Sequence, residues 1–192
     1  FEPNLRRGLV IDNLDCKHGI SLMNSIADNI QGLLGGLPPE VKVVAVTKTR
    51  TSEEALEAYN AGLRIFGENR VQEMAIKKNL LPPGISWHLI GHLQSNKVKQ
   101  AVAISSVIES VDSLRLLRVI DREASSQGKM VDCLLQIHIA SEETKSGFGL
   151  DEALATDWGS IAASLGSVRI CGVMGMASFT EDMVKVREEF RS

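Results

Sequence analysis

The chain has 192 residues, 44% of them hydrophobic and 23% charged, with a formal net charge of −3, which suits one domain with a sizeable core. Lys and Arg are dispersed, so no basic face or stripe marks a nucleic-acid-binding protein. No apolar run approaches a membrane span, residues 1–22 hold no signal-peptide h-region, and Cys16, Cys133 and Cys171 fit neither a disulfide framework nor a zinc site, so a reducing cytoplasm is the expected setting.

Residues 1–22 show no clear periodicity and are expected to be an extension. Leu22, Met23, Ile26, Ala27, Ile30, Leu33 and Leu34 then form one apolar helical stripe, which Gly35-Gly36 ends and Pro38-Pro39 stops from continuing. The run Val41 to Thr47 predicts a buried strand, with Lys48 at its carboxyl end. Thr51-x-x-Glu54 is a capping box that opens the next helix, and Asn69-x-x-Gln72 has the same form after a second strand. Strands are predicted near Val41, Leu63, Ile85 and Val107, spaced 22 residues apart, and again near Val131 and Val168. Asp112 is the expected cap of a helix carrying Leu114, Leu117 and Ile120, and Thr180 that of a last helix. Such alternation implies a parallel sheet with covering helices. Thr47–Ser52 contains no glycine, which argues against a phosphate loop at the first βα turn and so against a dinucleotide fold. The expected fold is α/β, a modified TIM barrel that is incomplete, with an N-terminal helix and about six βα units where a closed barrel needs eight strands.

In α/β folds, chemistry gathers at the carboxyl ends of the strands. Lys48 sits at such an end, and a lysine amine held among apolar neighbours can act as a Schiff-base nucleophile. A solvated lysine at a strand end is the plainer alternative. Asn69 is expected first as a helix cap, a role compatible with its amide facing the barrel mouth beside Lys48. His88 and His92 are four apart, but Gly91 and the strand-like run before it argue against a helical metal motif, so His88 is expected to pack or hydrogen-bond inside the barrel. The loop Ser141–Gly149 is long for a βα connection, and Gly172-Val-Met174-Gly175-Met176 brings small and flexible side chains to a strand end.

Six segments occur in order: Val44-Ala-Val-Thr-Lys48, Phe66-Gly-Glu-Asn69, Trp87-His-x-Ile-Gly-His-Leu-Gln-x-Asn-Lys97, Leu135-Gln-Ile-His-Ile139, Glu143-Thr-Lys-x-Gly147 and Gly172-Val-Met-Gly-Met176. Together they resemble the pyridoxal phosphate homeostasis family of alanine-racemase-like, fold-type III PLP-binding proteins, over Met23 to Ser192. The resemblance implies a PLP-binding barrel domain over 23–192, with Lys48 holding pyridoxal 5'-phosphate as an internal aldimine and Asn69 and Met174 near the cofactor. It implies a role in PLP homeostasis without a dedicated reaction, with PLP-dependent apoenzymes as candidate recipients. The alternative is a fold-type III amino-acid racemase, for which Tyr59, the sole tyrosine, is poorly placed as a second base. A cofactor-free Schiff-base lyase is a third reading. Thr47 and Arg70 stand where the family more often has Ser and Tyr. The family's phosphate-holding loops follow the sixth unit, so the domain is expected to be truncated at its C-terminal side.

Overall fold

The computed structural model describes residues 8–11, 25–140 and 146–191, the first four by backbone alone. They divide into two compact units: the residues up to Ile90 together with Ile104–Ser106, and Gly91–Ala103 together with Val107 onward.

The first unit runs β1 (Gly8–Ile11), α1 (Ile26–Gly35), β2 (Lys42–Val46), α2 (Ser52–Asn60), β3 (Ile65–Glu68), α3 (Val71–Leu80) and β4 (Ser86–Leu89). β1 pairs with β2, β2 with β3 and β3 with β4, all in parallel. Val43 to Val46 are all buried, as a parallel strand covered on both faces requires. Phe66 and Trp87, each worth roughly 1.5–3 kcal/mol on burial, meet in the interior with ring centroids 5.9 Å apart. α1 opens on a Ser25–Asp28 capping box, and α2 on the expected Thr51–Glu54 box. β1 falls inside the stretch expected to be an extension. Its four residues are too few for a period to register, and pairing with β2 makes them a strand.

α3 corrects one expectation, because its N-cap is Arg70, without a side-chain cap bond, and not Asn69. Arg70 has extended dihedrals, so the helix starts at Val71 and Asn69 lies one residue too early to reach its first free N–H groups.

In the second unit a 3-10 turn (Ser95–Lys97) leads into α4 (Val98–Ile104). β5 (Val107–Val111), α5 (Leu114–Ser126), β6 (Val131–Ile137), α6 (Leu150–Ala155), α7 (Trp158–Ser164), β7 (Val168–Gly175) and α8 (Met183–Glu189) follow. β5, β6 and β7 are parallel in that order. α5 buries Leu116, Leu117, Ile120 and Ala124. Phe148 and Trp158 pack edge to face with centroids 5.2 Å apart. Two further caps differ from expectation. Ser113, not Asp112, accepts from Leu116 N, because the Asp112 carboxylate is engaged by His92 and by the Ser113 hydroxyl. Asp182, not Thr180, caps α8 by accepting from Val184 N and Lys185 N, while the Thr180 hydroxyl accepts from Asp182 N.

Candidate functional site

Lys48 follows β2 directly, half-buried beyond the apolar run Val43–Val46 and the buried Thr47. Thr47 N donates to Gly67 O at 3.0 Å, which keeps Thr47 in the ladder. Arg50 N donates back to Thr47 O at 3.0 Å and closes a turn around Lys48 and Thr49. Thr49 has φ +64°, a left-handed backbone that a β-branched residue adopts at a cost of roughly 1–2 kcal/mol. Strain of this kind gathers at functional sites, where surrounding structure enforces it. Here it turns the chain at once, so that α2 starts at Ser52 and Lys48 stays at the strand end.

The surrounding structure is a buried charge network. Glu68 is fully buried at the end of β3, and its Oε1 accepts from both the Thr47 hydroxyl and Lys77 Nζ, each at 2.6 Å. The Lys77 ammonium, on α3, also donates to the Thr47 carbonyl. That carbonyl belongs to the peptide leading into Lys48, so one ion pair ties β2, β3 and α3 together below the lysine. Glu68 Oε2 is buried with no hydrogen-bond partner among the described residues. Ion pairs of this depth are held by mutual need, since either partner alone is a buried, uncompensated charge.

Asn69 follows Glu68 and is exposed. The Val46–Gly67 pairing, carried two residues on, puts Lys48 and Asn69 at equivalent places on neighbouring strand ends. Gly67 belongs to the same frame: a Cβ there would lie 3.1 Å from the Ile90 and Val44 side chains. Lys48 and Asn69 thus follow adjacent parallel strands of the first unit.

Met174 lies in the second unit, half-buried on β7 and paired with Gln136 of β6. The register slips by one residue between Cys133 and Leu134, a bulge that resets which side chains of β7 face each way. The Cys133 thiol is pushed up by burial and then by neighbouring Cys171. The loop after β6 folds back on its own strand. Gln136 Nε2 donates to Ser146 O at 2.6 Å, Phe148 N donates to Gln136 O and His138 N to Phe148 O. Gly147, at φ +145°, passes so near that a Cβ would stand 2.8 Å from His138 N. Residues 141–145 of this loop, with Glu143, Thr144 and Lys145 of the motif, lie outside the described residues.

His88 Nε2 is 3.3 Å from the Ser86 hydroxyl, as expected of a histidine satisfied within its strand. His92 Nδ1 pairs with Asp112 Oδ2 at 3.0 Å.

The sequence profile described as "Alanine racemase, N-terminal domain" matches residues 22–191. A pyridoxal phosphate homeostasis protein of Helicobacter pylori strain J99 is 36% identical over 152 residues, covering 78% of this chain and 68% of its own. One from Synechocystis sp. is 40% identical over 144 residues, covering 74% and 65%.

The chain belongs to the pyridoxal phosphate homeostasis protein family.

It spans about two thirds of the length of these two relatives. Among solved structures of this family, PipY of Synechococcus elongatus matches with a TM-score of 0.81 without PLP and 0.78 with PLP bound. The two are 36% and 35% identical, over 86% of this chain and 77% of PipY. An alanine racemase of Clostridium difficile matches at 14% identity with a TM-score of 0.67, over 84% of this chain and 42% of that one, and shares the fold alone. The fold is thus the expected one, an incomplete α/β barrel of the TIM type.

Sequence reasoning missed the Glu68–Lys77 pair in this family member. Two signals were present. Glu68 ends an otherwise apolar strand, and Lys77 falls three residues after Met74 on the buried face of α3, in step with Val71.

Proposed function

We propose that this chain binds pyridoxal 5'-phosphate through the amine of Lys48 and serves PLP homeostasis without a dedicated reaction of its own. The position of Lys48 carries this reading: a half-buried lysine at the carboxyl end of a buried parallel strand, on a strained turn braced by a buried ion pair. PLP supplies an aldehyde that condenses with an amine, and the donor set fits it. Lys48 offers the nucleophile. Asn69 at the neighbouring strand end offers an amide, and the family resemblance adds Met174 as a polarisable contact. The relative PipY, solved with PLP bound, supports the assignment. PLP-dependent apoenzymes are the recipients in this reading, and a cytoplasmic setting suits the described thiols Cys133 and Cys171, both free. Among the described residues no helix is long and apolar enough to cross a membrane.

Protein incubated with PLP is expected to gain visible absorbance, and borohydride to fix the adduct on the Lys48 peptide. An undiminished adduct on Lys48→Ala protein sinks the assignment. A racemase is the weaker reading because of Tyr59. It sits near the end of α2 that leads into β3, roughly 10 Å along the axis from Ser52, where the turn of Lys48 enters the helix. The Arg64 guanidinium lies 4.0 Å from the centre of its ring. Interconversion of alanine enantiomers above a heat-killed control reverses that judgement.

A further inference from the structure

The segment His92-Leu-Gln-Ser-Asn96 walls a cavity of about 450 Å³ in the second unit. The opposite wall is the start of α5, with Asp112 and Arg115. A volume of this order suits a small molecule. Asp112 is the one carboxylate in the lining, and both of its oxygens are engaged. Oδ2 takes His92 Nδ1 at 3.0 Å, and Oδ1 accepts from the Ser113 hydroxyl at 3.3 Å. The first contact holds the imidazole by one nitrogen and leaves Nε2 available. Arg115 donates to the Ser95 hydroxyl at 3.3 Å and has no carboxylate partner among the described residues. Gln94 and Asn96 add amides from the same loop. The acid of the pocket is therefore spent inside it, while a guanidinium, an imidazole nitrogen, a hydroxyl and two amides remain to meet a ligand.

We propose that this pocket, formed by His92, Gln94, Ser95, Asn96, Asp112 and Arg115, is an anion site for a small phosphate monoester. The guanidinium fork matches phosphate oxygens in pairs, and a dianion draws more from it than a carboxylate does. The cavity has room for an organic group on the ester. None of Lys48, Asn69 and Met174 lines it.

The probes are phenyl phosphate and benzoate, which share a ring, lack an aldehyde and differ in the anion. Titration of the full chain, followed by isothermal calorimetry and by chemical-shift changes of the His92 and Arg115 signals, is expected to show saturable phenyl phosphate binding. Arg115→Gln is expected to weaken it by about tenfold or more, and Arg115→Lys to restore part of it. His92→Asn is expected to weaken it as well, and Lys48→Ala to leave it unchanged. Because Arg115 and His92 are exposed, both variants are expected to melt as the unsubstituted chain does. Benzoate binding as tightly as phenyl phosphate overturns the phosphate assignment. Unchanged binding by Arg115→Gln, or loss of binding in Lys48→Ala, overturns the site. Absence of saturable phenyl phosphate binding also overturns it.

Discussion

At the scale of single residues, the lysine that carries the proposed chemistry depends on another that carries none. Lys77 and Glu68 are buried together, 2.6 Å apart, below the peptide that leads into Lys48. Lys77→Met is expected to cost about 3–5 kcal/mol, because it strands the Glu68 carboxylate. The double change Lys77→Met with Glu68→Leu is expected to recover most of that loss, since apolar packing replaces both charges. Urea denaturation of the singles and the double checks this, and additive costs would contradict it. Thr49 gives a second test. Thr49→Gly relieves a left-handed β-branched residue, and relief of about 1 kcal/mol competes with the greater freedom of the unfolded chain. A higher melting temperature with slower borohydride fixation on Lys48 is the expected pair of results, because the turn loosens as its strain goes. These features were only partly legible. Lys48 stood out at the end of an apolar run, whereas the spacing of Lys77 with Val71 and Met74 marked a buried face but not its partner, which only the packing of α3 on β2 and β3 supplied.

At the scale of elements, the strands followed the sequence closely and the helix starts less so. The starts expected near Val107, Val131 and Val168 coincide with β5, β6 and β7, because each opens on a β-branched apolar residue that follows a polar stretch. The caps expected at Asp112 and Thr180 moved because a nearby polar side chain was the one left free to cap, whereas α3 starts after Arg70 with no side-chain cap at all. Asp182 caps α8, for instance, once Thr180 accepts from its backbone. Asp157, the cap of α7, provides a pH test. The Ser160 hydroxyl first, and then the Ser160 backbone N–H, hold its carboxyl below the ordinary value near 3.8. With the folded value depressed, its stabilisation is present above the unfolded pKa and is lost as pH falls through the folded one. Asp157→Asn, which keeps a capping oxygen, is expected to flatten that acid-side fall in melting temperature. An unaltered pH profile would show that Asp157 does not contribute.

At the scale of the whole molecule, each unit has its own apolar interior and both leave some large apolar side chains in water. Val173 is 62% exposed on β7 and Phe179 98% exposed beyond it, with Met183, Val184 and Phe190 exposed on or beside α8. Among the described residues β7 pairs with β6 alone, so it presents a strand edge close to that apolar surface. Self-association of the 192-residue chain is expected to rise with concentration in sedimentation velocity. Val173→Thr together with Phe179→Ser is expected to reduce it, and a monomer at every concentration would count against the idea.

The sequence by itself determined the alternation of strands and helices, the place of Lys48 at a strand end and the resemblance that named the family. All three are written in local order, as runs of apolar residues, turn residues and short motifs at regular spacing. Only the tertiary structure decided which charges are buried as a pair, which polar residue caps each helix and that His92 meets Asp112. The ion pair and the His92–Asp112 contact depend on residues 9 and 20 positions apart being carried onto neighbouring strands and helices. No local period encodes that proximity. It arises when the parallel register is set, and the register is what placed a buried ion pair beneath the lysine.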